Sequence, residues 1–189
     1  MAVSDSHAAR VAAIRARLAT GRYKGRTRRL ERIDRRLAPA GTPLARAIDE
    51  QLAARDTVSV LEIGFGWGAT LLDLAWRFRA APVTFAGVNL AAKPPVERAE
   101  DLRAVAEALD IVPPDRIDEL RPPAVDFHDA TALAVPDESA DLVYSAVTIQ
   151  FIADKVAVVE QVARALRPGG RALLEAHGDW IPPLEPARR

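Results

Sequence analysis

The sequence predicts an α/β domain: a doubly wound, mostly parallel sheet of about five strands with helices on both faces, preceded by an N-terminal helical arm. Three observations carry this. Five short apolar runs recur at 58–63, 83–90, 125–128, 140–145 and 171–176. Stretches with apolar residues at helical spacing lie between most of them. The first run breaks into Gly64, Gly66 and Gly68 before the next helix begins. Strands alternating with helices imply right-handed crossovers and hence parallel pairing.

Along the chain, residues 7–20 are rich in Ala and Arg and read as helix, with Ser6 as N-cap. Gly21 and Gly25 interrupt it, and residues 27–38 resume with Leu30, Ile33 and Leu37 on one face. Pro39-Ala-Gly41-Thr-Pro43 is punctuation, and marks the boundary between the arm, 1–40, and the core, 41–189. A helix is expected from Pro43 to Ala54, then a strand at Val58–Ile63 and a helix at Ala69–Arg79. Val83–Leu90 reads as the second strand. Pro95–Leu109 reads as a helix with Val96, Leu102, Val105 and Ala106 on one face. Residues 111–123 carry four prolines and read as loop. Val125–His128 and Ala140–Ser145 are the third and fourth strands. Val156–Leu166 is a helix stopped by Pro168-Gly169-Gly170, and Arg171–Ala176 is the fifth strand.

Composition excludes several chemistries. With no cysteine among 189 residues there is no disulfide, thiolate metal site or cysteine nucleophile. No apolar run approaches 18 residues, so no membrane span is expected. The N-terminus lacks the charged and apolar regions of a secretory signal, which leaves the cytoplasm as the default location. Net charge is zero but uneven. Residues 1–40 hold eleven Arg/Lys and three Asp/Glu, a net +8, against fifteen and twenty-three, a net −8, in 41–189. A basic arm on an acidic body could bind nucleic acid or substrate phosphate. The blander reading, an arm docked on its own acidic body, is favoured.

Val60-Leu-Glu-Ile-Gly-Phe-Gly-Trp-Gly68 is the most informative segment. A strand turns sharply into a helix whose N-terminus offers free N–H groups to an electron-rich ligand. Gly64, Gly66 and Ala69 also satisfy a dinucleotide fingerprint. Two details argue against NAD. Glu62 would crowd a pyrophosphate, although it suits an ammonium group. The second strand ends in Val88-Asn89-Leu90, without the acid that would hold a ribose.

Glu62-x-Gly64-x-Gly66-x-Gly68 resembles the first motif of class I S-adenosylmethionine (SAM)-dependent methyltransferases, which share a Rossmann-like fold. Asp129-Ala-Thr-Ala-Leu133 followed by Pro136-Asp-Glu-Ser-Ala-Asp-Leu-Val143 is similar to the stretch those enzymes carry before and into the fourth strand. Ile149-Gln-Phe-Ile152 and Leu166-Arg-Pro-Gly-Gly170 look like two further motifs, in family order from about 58 to 176. The resemblance implies SAM as cofactor and S-adenosylhomocysteine as product. It implies that Gly64 and Gly66 line the methionine and ribose end, with Glu62 toward the ammonium. Asn89 would hold the ribose hydroxyls where most members place an acid. Asp129 would accept from the adenine amino group beside Ala130, and Ser145 and Ala146 would bring backbone carbonyls near the methionine end. Asn89 as a turn former and Asp129 as an N-cap are the bland alternatives.

Methyl transfer from a sulfonium is an in-line displacement, and a base is needed only if the nucleophile must lose a proton. His128 and His177 both follow strands, and His177, near Asp179 and Trp180, is the better placed base. Gln150 could touch substrate or be an ordinary polar helix residue, and Trp67, Tyr23 and Phe151 could line an apolar pocket or be core. The place after the fourth strand reads Tyr144-Ser-Ala-Val147, unlike the Pro-Pro-Tyr element of amino-methylating enzymes acting on bases. With no cysteine for pyrimidine carbon-5 chemistry, a small-molecule acceptor is favoured. A non-catalytic SAM-fold subunit and an RNA methyltransferase docking through the Arg-rich arm are the alternatives. Family members usually continue past the fifth strand with an antiparallel pair. This sequence stops soon after, in Ile181-Pro-Pro-Leu-Glu-Pro-Ala-Arg-Arg189. An active short form, a binding protein and a fragment each fit that. A bare fifth-strand edge would be expected to be covered by a second copy, a partner chain or the arm.

Overall fold

A computed structural model describes residues 2–22 and 27–175. Its centre is β1 (Val58–Ile63), four of whose six residues are apolar and all of which but the half-buried Ser59 are buried, as in a parallel sheet covered on both faces. β2 (Val83–Asn89) and β4 (Ala140–Ser145) flank it, β3 (Ala124–Phe127) lies outside β2, and β5 (Leu166–Leu174) lies outside β4. Every pairing is parallel, in the order β3-β2-β1-β4-β5. Strand order reverses between β1 and β4, and the crevice outside the carboxyl ends of strands at such a point is where ligands bind in this architecture.

Six helices accompany the sheet among the described residues: α1 (Ala2–Ala19), α2 (Leu30–Leu37), α3 (Leu44–Leu52), α4 (Ala69–Arg77), α5 (Asp101–Ala108) and α6 (Lys155–Ala165). Successive strand side chains point to opposite faces, so the core has two layers. Val58, Val60, Phe85, Leu142, Tyr144 and Leu173 belong to the layer that includes buried residues of α1 to α5. Leu61, Ile63, Val88 and Val143 meet Val158 and Val162 of α6 on the other face. No helix among the described residues is long and apolar enough to cross a membrane.

The basic N-terminal helices rest on this core. Val11 and Ile14 of α1, and Ile33 and Leu37 of α2, are buried in the larger layer. Around them Arg10 pairs with Asp101, His7 Nε2 lies 2.8 Å from Glu107 and Arg29 Nε grips both oxygens of Asp73 at 2.7 and 2.8 Å. Arg36 takes both oxygens of Glu175.

Several boundaries differ from the sequence expectation. Ser6 lies inside α1, which starts at Ala2, so it caps nothing. The helix expected from Pro95 begins at Asp101. That residue's carboxylate accepts from the Glu97 and Arg98 N–H groups and holds them in a turn instead. The loop at 111–123 contains a 3₁₀ helix, Pro114–Glu119. Pro168 and Gly169 do not precede β5 but lie within it, at a register shift between Ala140 and Leu142 of β4. Arg167, next to the shift, reaches the buried Asp141 carboxylate at 2.8 Å, which starts the strand at Leu166. Proline, arginines and a shift in register are also devices that discourage edge-to-edge pairing.

Candidate cofactor site

The turn from β1 into α4 is built by backbone torsions that favour glycine. Gly64, Gly66 and Gly68 have φ of +81°, +60° and +79°. At Gly64 space matters as well, because an added Cβ would lie 1.9 Å from Thr148 Oγ1. Thr148 follows β4, and its hydroxyl donates to the Gly64 carbonyl at 3.3 Å. Asn89, at the end of β2, clamps the same turn from the other side. Its Oδ1 accepts from the Gly66 N–H at 3.2 Å and its Nδ2 donates to the Gly66 carbonyl at 3.1 Å. An aspartate could not donate, so the amide suits this double bond.

Two adjoining cavities open here. The larger, about 330 Å³, is lined by residues that include Ile63, Val88, His128, Asp129, Ala130 and Phe151. The smaller, about 240 Å³, lies over Gly66 and Trp67 and reaches Lys93. Gly64, Asn89, Leu90 and Thr148 line both. Among the described residues Leu90 and Phe151 are the most exposed large apolar side chains, at 75% and 81%, and both stand at the larger cavity. Trp67 is core and cavity wall at once. Gln150 lies beside Phe151 in a 3₁₀ turn and lines neither cavity.

Asp129 caps a 3₁₀ turn, with Oδ1 accepting from the Thr131 N–H and hydroxyl at 2.9 Å each. The Thr131 N–H, then its hydroxyl, hold the carboxyl below the usual aspartate range. The capping role and a place in the cavity wall coexist, and Oδ2 has no partner among the described residues. Glu62 is different. It is 5% exposed and lines neither cavity, and among the described residues its Oε2 accepts only from the Tyr144 hydroxyl, at 2.8 Å. Burial pushes its carboxyl up to about 7, against the smaller downward pull of that hydrogen bond. Ser145 and Ala146 are buried behind the site. The Ser145 carbonyl already accepts from the Glu175 N–H at 2.9 Å, and its hydroxyl donates to the Ile63 carbonyl at 2.8 Å. His128 Nε2 accepts from the Ala134 N–H at 3.1 Å, which leaves that nitrogen without a free lone pair. His177 and Tyr23 lie outside the described residues.

Residues 61–174 match a family described as a methyltransferase domain. The chain belongs to that family. A 27-O-demethylrifamycin SV methyltransferase from Amycolatopsis mediterranei (strain S699) is 33% identical over 151 residues, which cover 80% of this chain and 49% of that protein. Methyltransferase GfsG from Streptomyces halstedii is 31% identical over 135 residues, 71% of this chain and 43% of that one. The chain thus spans about half the length of these curated relatives. Among solved structures, a SAM-dependent methyltransferase from Methanococcus maripaludis superposes with a TM-score of 0.46 at 19% identity, over 70% of this chain and 55% of that one. A likeness of that size adds nothing to the assignment.

The residues that the motifs singled out therefore fall into two sets. Gly64, Gly66, Asn89, Asp129 and Ala130 converge on the cavities, whereas Glu62, Ser145 and Ala146 lie behind them. Thr148 was not legible as a site residue. It belongs to no motif, and only the contact with Gly64 brings it there.

Proposed function

We propose that this chain is a methyltransferase that moves a methyl group from S-adenosylmethionine to a small-molecule acceptor. The observation that carries the reading is the pair of cavities at the strand-order reversal, joined through Gly64, Asn89, Leu90 and Thr148. Bound S-adenosylmethionine supplies a methyl on a sulfonium, ready for in-line attack by the acceptor. The protein's part is to bind, align and exclude water. Asp129 Oδ2 offers an acceptor for the adenine amino group, and Ile63, Val88 and Leu90 offer apolar surface around the ring. The Asn89 amide retains one N–H and one lone pair for ribose hydroxyls after its two bonds to Gly66. Glu62, which lies behind the cavities, would favour the ligand's ammonium by its charge once ionised. The relative that acts on 27-O-demethylrifamycin SV supports a hydroxyl as the accepting group. His177 would then take the hydroxyl proton, a role that His128 Nε2 cannot fill.

Calorimetry with S-adenosylhomocysteine tests the reading directly, with NAD as control. Binding of the former alone is expected. Binding of NAD alone would return the glycine turn to the dinucleotide class. The base assignment is separate: H177A should lose turnover while keeping cofactor affinity.

The alternative of RNA docking through the arm draws little from the charge distribution. Arg10, Arg29 and Arg36 are engaged by carboxylates of the same chain.

A further inference from the structure

Val147, two residues past β4, is the one β-branched residue with a left-handed backbone among the described residues, at φ +72°. Such a torsion is disfavoured for a branched side chain and persists only where its surroundings impose it. Here the imposing group is Glu175. Its Oε2 accepts from the Val147 N–H at 2.9 Å, and its own N–H donates to the Ser145 carbonyl at 2.9 Å. One residue thus ties the chain on both sides of Ala146. The carboxylate is itself held by α2, where Arg36 Nε donates to Oε2 at 2.9 Å and Nη2 donates to Oε1. A bidentate guanidinium fixes the orientation of a carboxylate as well as its charge. The Val147 side chain packs on the larger core layer, which completes the restraint.

The residue placed by this arrangement is Thr148. Its side chain sits where a Gly64 Cβ would be, and it forms part of the wall of both cavities. An ordinary φ at Val147 would redirect the chain at the next residue and move that wall.

We propose that Glu175, gripped by Arg36, is a positioning residue for the cofactor site: it holds Val147 in its left-handed conformation so that Thr148 stands against Gly64 between the two cavities. Cofactor affinity then depends on an ion pair supplied by the N-terminal helices. The proposal rests on the reading of these cavities as the cofactor site.

The test is calorimetry with S-adenosylhomocysteine on the full chain and on E175A, E175Q and R36A, with a thermal melt of each. E175A should bind about tenfold more weakly or worse, the scale of a lost hydrogen bond to a charged group. E175Q retains a carbonyl oxygen for the Val147 N–H and should stay within about threefold of wild type. R36A should fall between them, because the carboxylate remains but is no longer oriented. A purely structural ion pair would lower the melting temperature and leave the affinity of the folded protein unchanged. That pattern in E175A overturns the proposal, as does an E175Q variant as weak as E175A. If E175A does not fold, wild-type affinity in a destabilised R36A is the overturning result. Failure of the wild-type chain to bind S-adenosylhomocysteine would instead sink the cofactor reading itself.

Discussion

Glu62 of β1 and Asp141 of β4 are both buried carboxylates on neighbouring strands, at opposite ends of the sheet, and they are treated differently. Asp141, 0% exposed, accepts from the Ser59 N–H at 2.7 Å and pairs with Arg55 at 3.2 Å and Arg167 at 2.8 Å. Oδ2 takes the Ser59 and Arg167 bonds, while Oδ1 has the Arg55 guanidinium at 3.2 Å without a hydrogen bond. Among the described residues Glu62 has one neutral partner, the Tyr144 hydroxyl, and no cation. A buried carboxylate surrounded by guanidinium and N–H groups is a structural element. One left with a hydroxyl ionises only near neutrality, and a cation beside it would favour the charged form. The contrast distinguishes the amino ends of the strands, where Asp141 is tied down, from the carboxyl ends, outside which the two cavities open.

The sharpest way to break this contrast is to remove each carboxylate. Asp141→Ala should cost about 3 kcal/mol of unfolding free energy, by loss of one partner of a buried ion pair. The low end of that range applies because Arg55 and Arg167 keep 27% and 35% of their side-chain surface in water. Urea denaturation measures this, and affinity for S-adenosylhomocysteine should survive in the folded fraction. A variant of normal stability would show that Asp141 is not the anchor described.

Glu62→Gln should do the reverse, keeping the Tyr144 hydrogen bond while weakening cofactor binding about tenfold. Its pH behaviour sharpens the point. The folded carboxyl titrates at about 7, against an ordinary value of 4.5. Between these values the folded state binds more protons than the unfolded one. Glu62 therefore makes stability fall as pH rises through that window, and Glu62→Gln should lack the slope. Conversely, wild-type affinity for the ammonium-bearing cofactor should rise from pH 6 to pH 8 as Glu62 ionises. Denaturation and calorimetry at both pH values check the two signs, and a flat affinity profile would remove Glu62 from the ligand.

Smaller effects concern the cavity walls. Gly64→Ala forces a Cβ onto Thr148 and should reduce affinity several-fold, with a moderate loss of stability. Asp129→Ala should weaken binding of S-adenosylhomocysteine about fivefold, and binding of its inosine analogue, which lacks the adenine amino group, much less. Equal losses for both ligands would place adenine elsewhere. Asn89→Asp, which cannot donate to the Gly66 carbonyl, should give the mildest change.

Much of this was legible before the structure. β1 and β4 run over the expected residues because short apolar strands bounded by glycines and charges leave little freedom. The convergence of the glycine turn with Asn89 and Asp129 follows from parallel strands ending on one edge. What sequence could not supply were partners distant along the chain. Periodicity marks a buried face but not its neighbour, so the grip of Arg36 on Glu175, 139 residues away, left no trace. Asn89 read as a weakened acid because its second bond, to Gly66, is visible only once the turn is built. Arg167 read as part of a motif, and its tie to Asp141 explains why β5 starts there.

The N-terminal helices carry one more consequence, for the order of folding. His7 and Glu107 are 100 residues apart, and Arg10 and Asp101 are 91 apart. Contacts of such separation are slow to form, because the entropy of closing a long loop must be met before any of them contributes. On the ribosome, α1 and α2 emerge before the helices they pack against, α5 and α4. Their apolar faces, with Val11, Ile14, Ile33 and Leu37, must wait in solvent until α4 and α5 are made. The high density of arginine along those helices keeps such waiting segments soluble, because like charges repel before the acidic body exists to receive them.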